Sequence, residues 1–128
     1  MLIGLLVLLG APAHAAERVL KIVAFGDSLT AGLGLPAGAA FPARLEAALK
    51  AKGHAVTIVN AGVSGDTASG GLGRLDWSVP DDADAVILEL GANDALRGVD
   101  PKTTKAALDA ILGKLDARRV PVLLAGMA

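Results

Sequence analysis

The sequence predicts a single α/β domain of three layers, α/β/α, built around a parallel sheet. Three observations predict it. Four short apolar runs rich in Val, Ile and Leu recur along the 128 residues. Stretches of helical periodicity separate them. The first three runs each stop at a polar, glycine-bearing cluster. Apolar strands alternating with amphipathic helices imply βαβ units, whose parallel sheet is covered on both faces. At this length the chain holds at most one domain, since domains run to about 100–200 residues.

Taken in order, VLKIVAF (Val19–Phe25) reads as the first strand, ending at Gly26. FPARLEAALKAKG then places Phe41, Leu45, Ala48 and Leu49 on one helical stripe, with Gly53 as a stop signal. AVTIVNAG (Ala55–Gly62) is the second strand. A shorter helix is expected between Thr67 and Trp77, its extent blurred by Gly70, Gly71 and Gly73. ADAVILELG (Ala83–Gly91) is the third strand. The long helix that follows starts with Asp100 as N-cap and Pro101 as its first residue. Thr104, Leu108, Ile111, Leu112 and Leu115 share one face of it. VPVLLAGM (Val120–Met127) is the fourth strand.

Composition removes several function classes. The chain is 53% hydrophobic and 20% charged with a net charge of −1, so nothing draws it to nucleic acid or an anionic surface. Its aromatic residues are Phe25, Phe41 and Trp77, too few for a base-stacking platform. The absence of cysteine excludes disulfides, thiolate zinc sites and cysteine nucleophiles. At the front, Leu2–Gly10 is an unbroken apolar run followed by small residues at Ala13 and Ala15. That is the apolar core and cleavage pattern of a secretory signal, although no Lys or Arg precedes it. The run is too short for a bilayer, which needs about 20 residues. The expected organisation is therefore a signal segment over 1–15, cut near Ala15, and one domain over 16–128, secreted or periplasmic, with no stable membrane insertion.

The chemistry is expected just beyond the strand ends, because sites in open parallel sheets gather at the carboxyl edge. GDSLTAG follows strand one, NAGVSGDT strand two and GANDALRG strand three. Parallel strands bring Ser28, Gly62 and Asn93 to that edge: a hydroxyl facing a backbone N–H and a carboxamide N–H, the donor types that stabilise the oxyanion of acyl transfer. Taken singly, each has a plainer role. Ser28 is a natural N-cap, Gly62 permits a tight turn, and Asn93 suits an Asx-turn. Other motifs fit poorly. Gly32, Gly34 and Gly38 form a loose dinucleotide fingerprint interrupted by Pro36, and strand two ends in Asn60 rather than a ribose-binding acid. No phosphate loop with its lysine is present, and Thr30 stands where the G-x-S-x-G elbow needs glycine.

In order and spacing the three clusters resemble consecutive blocks of the SGNH (GDSL-type) hydrolase family, and in particular its branch of bacterial periplasmic arylesterases and acyl-CoA thioesterase/lysophospholipases. The resemblance runs from about Val19 to Met127. It implies a flavodoxin-like sheet, no cofactor and no metal. It also implies Ser28 as nucleophile, with the N–H of Ser28, the N–H of Gly62 and the Asn93 side chain as oxyanion hole. Ala95 departs from the family pattern, which has glycine after the Asn-Asp pair.

A serine hydroxyl needs a base to take its proton. The chain has two histidines. His14 falls in the signal segment, and His54 precedes strand two at the opposite end, about five strand residues or roughly 17 Å from the serine edge. In the family the base and its acid come from a later Asp-x-x-His block, which these residues do not contain. The fold is therefore expected to be incomplete at its C-terminus, and the chain by itself is expected to turn over little substrate. Asp27 is expected to brace its turn and Asp94 to pair with Arg97 or cap a helix. The reading is a serine esterase or thioesterase acting on small-molecule acyl esters, with Leu33, Leu35 and Pro36 lining an acyl-binding wall. A carbohydrate O-acetyl esterase and a non-catalytic small-molecule binding module are the alternatives.

Overall fold

The computed structural model describes residues 16–126. The apolar run Leu2–Gly10, His14, the cleavage position near Ala15 and Met127 lie outside the described residues. Within them the chain forms β1 (Leu20–Gly26), α1 (Ser28–Ala31), α2 (Phe41–Ala51), β2 (Val56–Gly62), α3 (Ala68–Ser78), β3 (Ala85–Glu89), α4 (Ala92–Leu96), α5 (Pro101–Ala117) and β4 (Val122–Leu124). A single 3₁₀ turn, Ala37–Ala39, lies between α1 and α2. The four strands form one parallel sheet in the order β2-β1-β3-β4. The α/β architecture expected from the sequence is thus present.

The period-2 alternation of β1 divides the core. Val23 and Phe25 point to one face, where Val86 and Leu88 of β3 meet Leu75 of α3 and Ile111 and Leu115 of α5. Ala24, with Val56 and Ile58 of β2, points to the other face, against Phe41, Leu45 and Leu49 of α2. Ala48, expected on that stripe, is exposed. The second face is covered only in part. Ile22, Ala85, Ile87 and Leu123 line an open apolar groove of about 430 Å³ beside Leu45.

The helix starts follow local chemistry. Asp100 caps α5 through a 2.8 Å bond from the Lys102 N–H, and Pro101 follows it as expected. Thr67 caps α3 by accepting from the Gly70 N–H at 3.1 Å. The glycines of α3 do not break it. A Cβ at Gly71 would collide with Leu90 and touch the Phe25 ring, so glycine lets the helix lie close on the sheet. Strand four is shorter than the sequence suggested, three residues rather than eight.

The strand order places a topological switch at β1 and β3. From β1 the chain moves outward to β2, then returns to β3 on the other side. In open α/β sheets such a switch point, at the carboxyl edge, is where ligand sites form. Ser28 follows β1 and Asn93 follows β3 at that edge.

Candidate active site

Asp27, not Ser28, is the N-cap of α1. Its Oδ1 accepts from the Leu29 N–H at 2.9 Å, and Ser28 is the first helical residue. The plainer reading of Ser28 as a cap is therefore corrected: the shorter path to the free N–H groups belongs to the preceding carboxylate. Ser28 is half-buried, and its own N–H has no acceptor among the described residues. That is the normal condition of a first-turn amide, which has no intrahelical partner. Its carbonyl accepts from Gly32 and Leu33, both at 3.0 Å, and Gly32 closes the helix in the left-handed region at φ 80°.

Asn93 joins the three loops. Its Nδ2 donates to Asp27 Oδ2 at 3.1 Å and to the Asp66 carbonyl at 2.9 Å. One carboxamide therefore ties the residue before Ser28 to the loop after β2, from its own place after β3. Asp94, alongside, is 1% exposed and caps the start of α3, accepting from the Ala68 N–H at 2.9 Å and from the Thr104 hydroxyl at 3.0 Å. The expectation that it caps a helix start holds. Its other expected partner, Arg97, instead donates to the Gly65 carbonyl at 2.7 Å.

Gly62 stands beside Gly26 in the β1–β2 register, but its N–H is already engaged. The Val63 N–H donates inward to the Gly26 carbonyl at 2.9 Å. Ladder alternation then turns the Gly62 N–H to the outer side of the edge strand, where it donates to Asn60 Oδ1 at 3.0 Å. What requires glycine at 62 is packing: a Cβ there would strike backbone atoms of Thr30 and Ala31. Three residues on, Gly65 is in the left-handed region at φ 82°, and its N–H has no acceptor among the described residues. It precedes Asp66, whose carbonyl holds Asn93. Sequence reasoning named Gly62 and passed over Gly65; the two differ in that the Gly62 N–H is engaged and the Gly65 N–H has no acceptor among the described residues.

Beneath the site lies a buried carboxyl. Glu89, at the end of β3, accepts from the Thr30 hydroxyl at 2.9 Å and faces the Asp27 N–H at 3.4 Å. Burial, reinforced by the neighbouring Asp27 and opposed by the Thr30 hydroxyl, holds its carboxyl above the ordinary carboxylate range. Sequence reasoning missed Glu89 because it ends an apolar run that the sheet buries. Gly26 has no room for a side chain, since a Cβ would collide with Thr30 and Glu89.

His54 is exposed, in the loop ahead of β2. β2 runs parallel to β1 from Val56 to Gly62, so His54 lies at the amino edge while Ser28 follows the carboxyl edge. Leu33 and Leu35 stand out into solvent, 72% and 56% exposed. Leu29 of α1, Val63 just after β2 and Leu96 of α4, near the same edge, are also exposed. No helix among the described residues is long and apolar enough to cross a membrane.

Residues 24–128 match the GDSL-like Lipase/Acylhydrolase family. The chain is 38% identical to Esterase TesA of Pseudomonas aeruginosa over 99% of its own length and 63% of that protein's. It is 41% identical to Thioesterase 1/protease 1/lysophospholipase L1 of Escherichia coli over 93% of its own length and 55% of that protein's. The chain therefore spans between 55% and 63% of the length of these relatives. Among solved structures it superposes on AlinE4, an SGNH-hydrolase family esterase, with a TM-score of 0.83 and 46% identity, covering 88% of this chain and 61% of that one. With matching blocks at three strand ends, the same sheet and a match over most of its length, the chain belongs to the GDSL-like lipase/acylhydrolase family.

Proposed function

We propose that the chain carries the nucleophile and oxyanion-binding part of an ester hydrolase, acting on small-molecule acyl esters or thioesters through an acyl-enzyme at Ser28. The observation that carries this reading is the Asn93 carboxamide, held between Asp27 and Asp66 beside a Ser28 N–H that has no acceptor among the described residues. In the first step Ser28 Oγ bonds to the acyl carbon while the carbonyl electrons move onto oxygen. The hydroxyl proton goes to a base other than His54. Collapse expels the alkoxide or thiolate, and water then cleaves the acyl–Ser28 ester.

The donors for the oxyanion are the Ser28 N–H, the Asn93 carboxamide and a second backbone amide. The free N–H of Gly65 favours that residue for the last role over Gly62, which would have to give up its bond to Asn60. An arriving oxyanion competes with the Asp27 carboxylate for one Asn93 N–H, the longer of its two bonds. Leu33 and Leu35, with the other aliphatic side chains exposed at this edge, give it the apolar surface an acyl chain needs. Secretion is proposed from the leading apolar run and its small-residue cleavage pattern.

A fluorophosphonate probe tests the reading in the full-length protein, meaning this chain with any sequence that follows Ala128. The expected result is one labelled residue, Ser28, and no labelling of Ser28→Ala. Labelling that persists in Ser28→Ala overturns the assignment.

A further inference from the structure

We propose that Arg74 is the positioning residue of this site. Acting through Asp66, it sets the loop that carries Gly65 and holds Asn93, and it fastens that loop to the ends of β1 and β2. This inference rests on the ester-hydrolase reading.

Arg74 lies on α3 with its side chain 12% exposed, and its partner Asp66 is 11% exposed. Its Nε donates to Asp66 Oδ2 at 2.7 Å. One Nη donates to the Ala61 carbonyl at 3.0 Å and to Ser78 Oγ at 3.2 Å. The other donates to the Gly26 carbonyl at 3.0 Å. The guanidinium plane also sits 4.1 Å from the centre of the Phe25 ring. These contacts reach β1 two residues before Ser28, β2 one residue before its end, and the loop residue whose carbonyl accepts from Asn93.

The surroundings are shaped for this arrangement. A Cβ at Gly70 would collide with Asp66 Oδ1, so glycine makes room for the carboxylate beside the helix. The planar guanidinium reaches a carboxylate, two strand carbonyls and the Ser78 hydroxyl from three separate nitrogens, whereas a lysine carries its three donors on one nitrogen. Arg74 does not touch the space in front of Ser28. Its effect on the reaction passes through Asp66 to Asn93 and Gly65.

The test uses the full-length protein with Arg74→Lys and Asp66→Asn, and has two arms. In the first, NMR follows hydrogen exchange of the Asn93 carboxamide, with the Ala68 amide, bonded to Asp94, as internal reference. The expected result is exchange at Asn93 faster by about tenfold or more with Ala68 unchanged. In the second, kcat for an aryl ester is divided by the concentration of sites titrated with a fluorophosphonate. The expected result is a fall of about tenfold or more per titrated site, with KM within about twofold. A merely structural arginine would lower the number of titrated sites and leave kcat per site unchanged. That result, or unchanged Asn93 exchange in a folded variant, overturns the proposal. Should Arg74→Lys fail to fold, Asp66→Asn decides by the same readings. A wild-type protein that takes no probe at Ser28 defeats the hydrolase reading, while the exchange arm still judges Arg74.

Discussion

Replacing Gly62 with alanine puts a methyl group where α1 crosses the end of β2. The new Cβ would stand 2.7 Å from Ala31 Cα and 2.7 Å from the Thr30 carbonyl carbon, against about 3.5–4.0 Å for carbon atoms in contact. Every obstructing atom is backbone, so no side-chain rotation relieves the overlap. Helix α1 has to retreat by about 1 Å, at an overpacking cost of about 1–3 kcal/mol. Ser28 is the first residue of that helix and moves with it. A displacement of about 1 Å in a reacting group costs on the order of 100-fold in rate. Gly73→Ala is the control: it lies mid-helix in α3 with open space around its Cβ, and gains about 0.5–1 kcal/mol from helix propensity. Urea denaturation of the full-length variants and kcat per titrated site measure both effects. A Gly62→Ala protein with wild-type midpoint and wild-type kcat per site would refute the close approach on which this reasoning depends.

Four further outcomes are expected. Glu89 holds its proton more tightly folded than unfolded, so its destabilising contribution is absent below the ordinary carboxylate range and grows as pH rises toward the folded value. Glu89→Gln should therefore raise Tm more at pH 8 than at pH 4, and an equal gain at both would contradict the burial argument. Asp94→Ala leaves the Ala68 N–H and the Thr104 hydroxyl without their acceptor, and calorimetry should show a loss of about 1–3 kcal/mol for each unsatisfied group. Leu75→Ala empties a fully buried site and should cost about 2–5 kcal/mol, whereas Trp77→Ala, two residues on and 80% exposed, should change stability by less than about 0.5 kcal/mol. His54→Ala should leave kcat per titrated site for an aryl ester within about twofold, since His54 lies at the far edge of the sheet, and a fall of about 10⁴-fold would show that it is the base.

The sheet and the placement of the site were legible because both depend on chain-local patterns. Apolar runs marked each strand, and Asp100-Pro101 with a 3.6-residue stripe marked α5. The gathering of GDSLTAG and GANDALRG at one edge follows from parallel strands whatever their order. Helix α3 was harder to read because glycine is both a breaker and a permit for close approach; only the neighbouring Phe25, Leu90 and Asp66 show that Gly70 and Gly71 serve the second purpose. Gly62 ends β2 and Gly65 stands three residues on in the loop that follows, and sequence spacing does not show which of the two N–H groups is left without an acceptor. Asp27 displaced Ser28 as the cap because two good capping residues stand side by side. Arg74 gave no signal at all: it is one arginine on a helix, and its role exists only where three segments meet.

The central claim is that Ser28 attacks and that the Ser28 and Gly65 amides, with Asn93, hold the resulting negative oxygen. A crystal structure of the full-length protein inhibited by a phosphonate ester tests it most directly, because the phosphoryl oxygen takes the place of the oxyanion. The predicted result is phosphorus bonded to Ser28 Oγ, with that oxygen about 2.7–3.1 Å from the Ser28 nitrogen, the Gly65 nitrogen and Asn93 Nδ2. An adduct on another residue, or a phosphoryl oxygen turned away from these three donors, would contradict the account.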